Sequence, residues 1–254
     1  MGILEHIVIA LAAVAGGFVN AIAGGGTLIT FPMMTAVGIA PVIANVTNTV
    51  ALCPGYVGGT YAQRSDLAGQ KRRMWMLLPT GVLGGITGGV LLLSTSDATF
   101  RMLIPYLILT AVILLAFQDQ LRNAVMSHMS GSSGRTHPHE AWSIPLIFAA
   151  AIYGGYFGAG LGVMMLAILG LVLDDSLTRL NALKQALSFV INIAAAIFFL
   201  FSGKVLWTAA AVMAVGALAG GVLGGRVASR IKPIILRWVV VGVGLVVAVI
   251  YFLK

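Results

Sequence analysis

The 254 residues are 59% hydrophobic and only 9% charged, with a mean hydropathy of +1.03; a soluble domain carries about 25% charged residues, so no solvated surface can be built from this chain. The formal net charge of +8 is not a nucleic-acid footprint, because the basic residues fall in short loops between apolar runs, as cytoplasmic loops do. One cysteine, Cys53, excludes an intramolecular disulfide, and the apolar runs lack the period-two alternation of a transmembrane barrel, which leaves helices.

The opening MGILEHIVIALAAV has no basic segment ahead of its apolar residues, so it reads as the first structural helix and not as a cleaved signal. The first run, 3–38, is interrupted by Gly24, Gly25 and Gly26. Each Gly weakens a helix interior by about 1 kcal/mol relative to Ala, so three together predict a break. Runs at 42–63, 74–94 and 102–121 follow and are long enough to span a bilayer. Residues 122–140, rich in Ser, Gly and His and without periodicity, read as a flexible cytoplasmic linker. The runs resume at 141–173, broken at Gly158-Ala-Gly160-Leu-Gly162, and continue at 178–202, 206–225 and 233–253. The glycine-rich stretches 81–89 and 216–225 read as helix-packing surfaces.

The two halves repeat. A shift of 136 lays Gly24 on Gly160, Gly26 on Gly162, Asn45 on Asn181 and Arg101 on Arg237. The expected organisation is an N-terminal repeat (1–121), the linker (122–140) and a C-terminal repeat (141–254), the sequence pattern of a secondary transporter. Loop charge bears on orientation. If 3–38 and 141–173 each enter the membrane and turn back at their glycines, Arg64, Lys71, Arg72, Arg73, Arg122, Arg135, Arg179, Arg226, Arg230, Lys232 and Arg237 share one side. Only Arg101, Lys204 and Lys254 then face the other, a clear positive-inside bias that full crossings would not give. Each half then has three crossings, and an odd number inverts the second half. The expected fold is an all-α polytopic membrane protein of two inverted-topology repeats, each a glycine-broken helical hairpin plus three transmembrane helices.

Non-helical backbone at membrane depth survives only inside protein or beside a water-filled cavity. Each break starts a new helix, whose free N–H groups and positive dipole end suit an anion; close packing between helices is the competing explanation for the same glycines. In the run 178–202, Asn181, Lys184, Gln185, Ser188 and Asn192 fall on one helix face, and their counterparts 136 residues earlier are Asn45, Asn48, Thr49, Leu52 and Tyr56. Such a stripe faces the protein interior, where it either binds a ligand or bonds helix to helix. Lys184 is the one charge well inside a span; all seven acids and four histidines lie in loops or at span ends. It either snorkels to the interface or meets an anionic ligand. The lack of membrane carboxylates speaks against proton relays and sodium sites of the usual kind, and no GxxxxGK[ST] phosphate loop occurs.

GGFVNAIAGGGTLITFP followed by ANVTNT, with the weaker second copy GGYFGAGLGVMM followed by LNALKQ, resembles the TauE/SafE family of sulfite exporters, also called toluene-sulfonate uptake permeases. The resemblance spans nearly the whole chain. It implies a secondary carrier of a small sulfur-containing or organic anion, such as sulfite or a sulfonate, in the bacterial inner membrane. It further implies a first half-site of Asn20, Gly24, Gly25, Gly26, Thr27, Asn45 and Asn48, which Thr49 on the polar stripe extends. The second half-site would be Gly158, Gly160, Gly162, Asn181, Lys184 and Gln185, without an equivalent of Asn20, where Tyr156 stands. The expected partners are the small anion, the lipid bilayer and a further copy of the chain, with no nucleic acid, cofactor or metal. A passive anion channel and a non-transporting scaffold subunit are the alternatives; a membrane-embedded enzyme would need converging His, Cys or acid residues in the spans.

Overall fold

A computed structural model describes residues 2–22, 25–130, 143–227 and 233–253. The helices run in order α1 (Ile3–Ile22), α2 (Thr27–Ala36), α3 (Pro41–Ala62), α4 (Lys71–Ser94), α5 (Asp97–Ala116) and α6 (Gln118–Ser130). They continue as α7 (Ser143–Tyr156), α8 (Leu161–Val172), α9 (Leu177–Leu200), α10 (Trp207–Val227) and α11 (Pro233–Leu253). No strand occurs among the described residues. Helices α1, α4, α5, α9, α10 and α11 are long and apolar enough to cross a bilayer. Their outer surfaces expose Leu103, Val215, Val239 and Val246, a coat that suits lipid and not water.

One sequence expectation changes. Residues 122–130, read as the start of an aperiodic linker, are helical and complete α6. Gln, Leu, Arg, Ala and Met are good helix formers and outweigh the polar composition there; residues 131–142 lie outside the described residues.

Both glycine clusters interrupt the helices. Gly25 (φ 85°) follows α1, and Gly158 (φ 78°) and Gly160 (φ 75°) separate α7 from α8, a left-handed conformation that costs L-residues about 1–2 kcal/mol. After the first break the chain returns along α1: a Cβ on Gly16 would lie 2.6 Å from Thr30 Cγ2, and one on Gly26 would lie 2.4 Å from the Gly16 carbonyl oxygen. After the second, Leu161 comes back against Gly154.

Packing on the two sides of the chain is matched. Helix α1 lies along α10 as α7 lies along α4; α3 contacts α10 as α9 contacts α4; α3 meets α9 and α5 meets α11. Glycines set the first two contacts, with Gly220 against Val14 and Phe18, and Gly88 against Ile152 and Tyr156. The expectation that 81–89 and 216–225 are packing surfaces agrees with this. The order of these contacts makes α1 parallel to α10 and α7 parallel to α4.

Polar contacts identify the two ends of the bundle. At one, Arg73 and Arg179 pair with Asp175, Gln70 Nε2 donates to the Arg179 carbonyl, and Arg237 pairs with Asp119. At the other, Asp97 accepts from the Val42 N–H, Thr47 Oγ1 from the Leu206 N–H, and Tyr251 donates to Thr35.

Candidate functional site

Between the two breaks lies a cavity of about 690 Å³, on the Arg73 side. Asn20, Gly25, Gly26 and Thr27 line it from the first break, and Gly158, Gly160 and Gly162 from the second. From α9 come Asn181, Lys184 and Gln185. Gly24 lies outside the described residues.

Asn45, Asn48 and Thr49 do not line it. All three are buried and their side chains are engaged in bonds within the protein: Asn45 Nδ2 donates to the Tyr156 carbonyl at 2.7 Å, Asn48 Oδ1 accepts from Thr30 at 2.6 Å, and Thr49 bonds back to the Asn45 carbonyl of its own helix at 3.0 Å. They are counterparts of Asn181, Lys184 and Gln185, but α9 starts at the Arg73 end and α3 at the opposite end. The same stripe therefore borders the cavity in one half and lies beyond the breaks in the other.

Local bonds make the second break tolerable at membrane depth. The Asn45 amide takes the Tyr156 carbonyl, and the Tyr153 hydroxyl donates to the Ala159 carbonyl at 2.7 Å. These replace helical hydrogen bonds that an unwound segment loses. Helix α8 then begins with Gly160 as its N-cap, so its positive end points into the cavity beside Gly162.

Lys184 puts a charged side chain on the cavity wall. Its Nζ donates to Asn181 Oδ1 at 2.6 Å, and Asn181 Nδ2 donates to Gln63 Oε1 at 3.0 Å, a relay that fixes the ammonium's position. Across from it, a Cβ on Gly162 would meet Lys184 Cδ at 4.0 Å. Among the described residues no carboxylate pairs with Lys184.

Sequence reasoning missed Gln63 and Gln118, both of which line the cavity. They stand at helix ends, where a Gln in a span-terminal turn gives no signal of what it faces. Tyr56 and Ser188 also line it; both lay on the polar stripes, where periodicity alone does not separate them from Asn192, whose amide bonds back to the Ser188 carbonyl.

The far side of the breaks is shut by rings. Phe31 packs edge-on to Phe157 with centroids 5.3 Å apart and to Phe100 at 6.3 Å. Phe100 also meets Tyr156 at 5.6 Å. Phe31, Phe100 and Phe157 are buried.

A family model described as sulfite exporter TauE/SafE matches residues 8–251. The chain is 28% identical over 226 residues to the "Probable membrane transporter protein" of Haemophilus influenzae, covering 88% of this chain and 85% of that protein. It is 26% identical over 220 residues to the "Probable membrane transporter protein YfcA" of Escherichia coli K12, covering 84% and 77%. With the "Probable membrane transporter protein ORF9" of a Sinorhizobium species it shares 27% over 232 residues, covering 89% and 85%. No solved structure matches the chain.

Proposed function

The chain belongs to the sulfite exporter TauE/SafE family of membrane transporters, and we propose that it carries a small sulfur-containing or organic oxyanion, such as sulfite or a sulfonate, through the cavity between its glycine breaks. The observation that carries this reading is Lys184, a cation in a membrane-spanning helix, facing a cavity and paired with no carboxylate among the described residues. A buried ammonium without a counter-ion is costly, and an anionic substrate supplies one. The N-terminus of α8 adds partial positive charge at the same place.

We read residues 1–121 and 141–254 as inverted-topology repeats. Support comes from chain direction: α1 and α2 leave from and return toward the Thr35 end, whereas α7 and α8 leave from and return toward the Asp175 end. The Asp175 end carries Arg64, Lys71, Arg72, Arg73, Arg179 and Arg226, against Arg101 and Lys204 at the other, and the positive-inside rule assigns the basic end to the cytoplasm of an inner membrane. A carrier is favoured over a passive channel because the buried rings of Phe31, Phe100 and Phe157 pack together beside the second break. Substrate enters from the basic end, and release on the other side requires those rings to part while the near side closes.

Flux of sulfite and of methanesulfonate into liposomes holding the purified protein tests the reading. Loss of one charge-assisted contact weakens binding roughly ten- to a hundredfold, so Lys184→Ala lowers flux by that order at subsaturating substrate. A Lys184→Ala protein that transports at the wild-type rate removes Lys184 from the mechanism.

A further inference from the structure

Ser188 stands one turn beyond Lys184 on the same face of α9, 3% exposed and lining the cavity. Among the described residues it holds the one buried hydroxyl without a partner. Elsewhere in this protein helical hydroxyls turn back onto the carbonyl four residues earlier, as Thr49, Thr80, Thr87, Thr95 and Thr110 do. That local bond is open to any Ser in a helix, yet the Ser188 Oγ does not make it. Leaving a buried donor unmade costs stability, which makes a ligand the natural acceptor.

The neighbours agree. Gly162, on the first turn of the 12-residue α8, faces the Lys184 stem, and among the described residues its N–H meets no acceptor. One turn past Ser188, Asn192 Nδ2 donates to the Ser188 carbonyl at 2.8 Å, and Asn192 Oδ1 lies 3.8 Å from where a Gly158 Cβ would stand. The Lys184–Ser188–Asn192 face of α9 thus runs along the second break, with Lys184 and Ser188 on the cavity wall.

We propose that Ser188 is a substrate-binding residue that selects oxyanions: its hydroxyl donates to one oxygen of the anion while the Lys184 ammonium holds another. The assignment rests on the anion-carrier reading. An ammonium is a point charge that takes a halide as well as an oxygen; a hydroxyl one turn away adds a directional donor. An anion with two or more oxygens engages both groups at once, and a monatomic anion does not. The site therefore prefers sulfite, sulfonate or carboxylate heads to halides.

Calorimetric titration of the purified full chain with sulfite, methanesulfonate and acetate, with bromide as comparator, tests this beside the melting temperature of the ligand-free protein. Ser188→Ala weakens the three oxyanions about tenfold, leaves bromide unchanged, and leaves the ligand-free melting temperature equal or higher, since no protein bond is lost. Ser188→Thr restores oxyanion binding. A lowered ligand-free melting temperature, an equal loss for bromide, or unchanged oxyanion affinity overturns the assignment. If the wild-type chain binds none of the oxyanions, the carrier reading fails first; if it binds them and only Ser188→Ala is silent, this assignment alone fails.

Discussion

Asp175 shows how one residue fastens the basic end. Burial by itself raises its carboxyl, but bonds from Arg179, from the Ser176 N–H and from Arg73 outweigh burial and hold it below its ordinary value of 3.8. A carboxyl depressed on folding stabilises the fold above its unfolded value, and that contribution fades as pH falls from 3.8 through the lower folded value. The ion pairs are partly solvated, so each contributes about 0.2–1 kcal/mol. Asp175→Asn is expected to lower the melting temperature by a few degrees at neutral pH and to flatten the acid limb of the stability curve. A pH–stability profile superimposable on the wild type would show the arginines to be equally well placed without it.

At the scale of helices, the two parallel contacts α1–α10 and α4–α7 depend on glycines that let backbones touch. A Cβ on Gly220 would lie 1.9 Å from the Val14 carbonyl oxygen, and one on Gly88 would lie 2.1 Å from that of Ile152. Backbone cannot swing aside as a side chain can, so Gly220→Ala and Gly88→Ala each should cost about 1–3 kcal/mol. Gly242, with nothing within 4 Å, is the control: Gly242→Ala should be neutral or stabilise by up to about 1 kcal/mol. Melting in detergent separates the two outcomes, and equal effects at all three positions would deny the close contact. The helices and both breaks were legible because hydropathy and glycine clustering are local properties of a chain. So was the Lys184 stripe, since periodicity puts residues on one face. Which stripe meets the cavity was not legible. Asn45 and Asn181 occupy matching places in the sequence, and the opposite directions of α3 and α9 put one beside the Tyr156 carbonyl and the other at the cavity. Gln118 was hidden for another reason: it lies at the end of the apolar run 102–121, where a polar residue gives no signal of what it faces.

The molecule as a whole is asymmetric where the proposed repeats would make it symmetric. Phe31, Phe100, Tyr156 and Phe157 close one side, while the residues 136 positions away are Ala167, Leu236, Asn20 and Ala21. On the carrier reading proposed above, four rings against two alanines, a leucine and an asparagine favour the state that is shut at the Thr35 end. Phe31 makes two edge-on ring contacts, each contributing about 0.5–1.5 kcal/mol beyond buried area. Phe31→Leu keeps most of the apolar bulk and removes both, so the shut state should lose about 1–3 kcal/mol relative to its alternative, a shift of about five- to 150-fold in the ratio of the two. A thiol placed under the rings reports that ratio. Cys53→Ala removes the native cysteine, and Thr49→Cys sets a new one on α3, where Thr49 is 9% exposed. In proteoliposomes, a membrane-impermeant thiol reagent applied at the arginine-poor side should label Cys53→Ala/Thr49→Cys slowly, and the same protein carrying Phe31→Leu faster by that factor. Labelling that is equally slow with and without Phe31→Leu would mean that the rings only fill the core and that the closed end is held by something else.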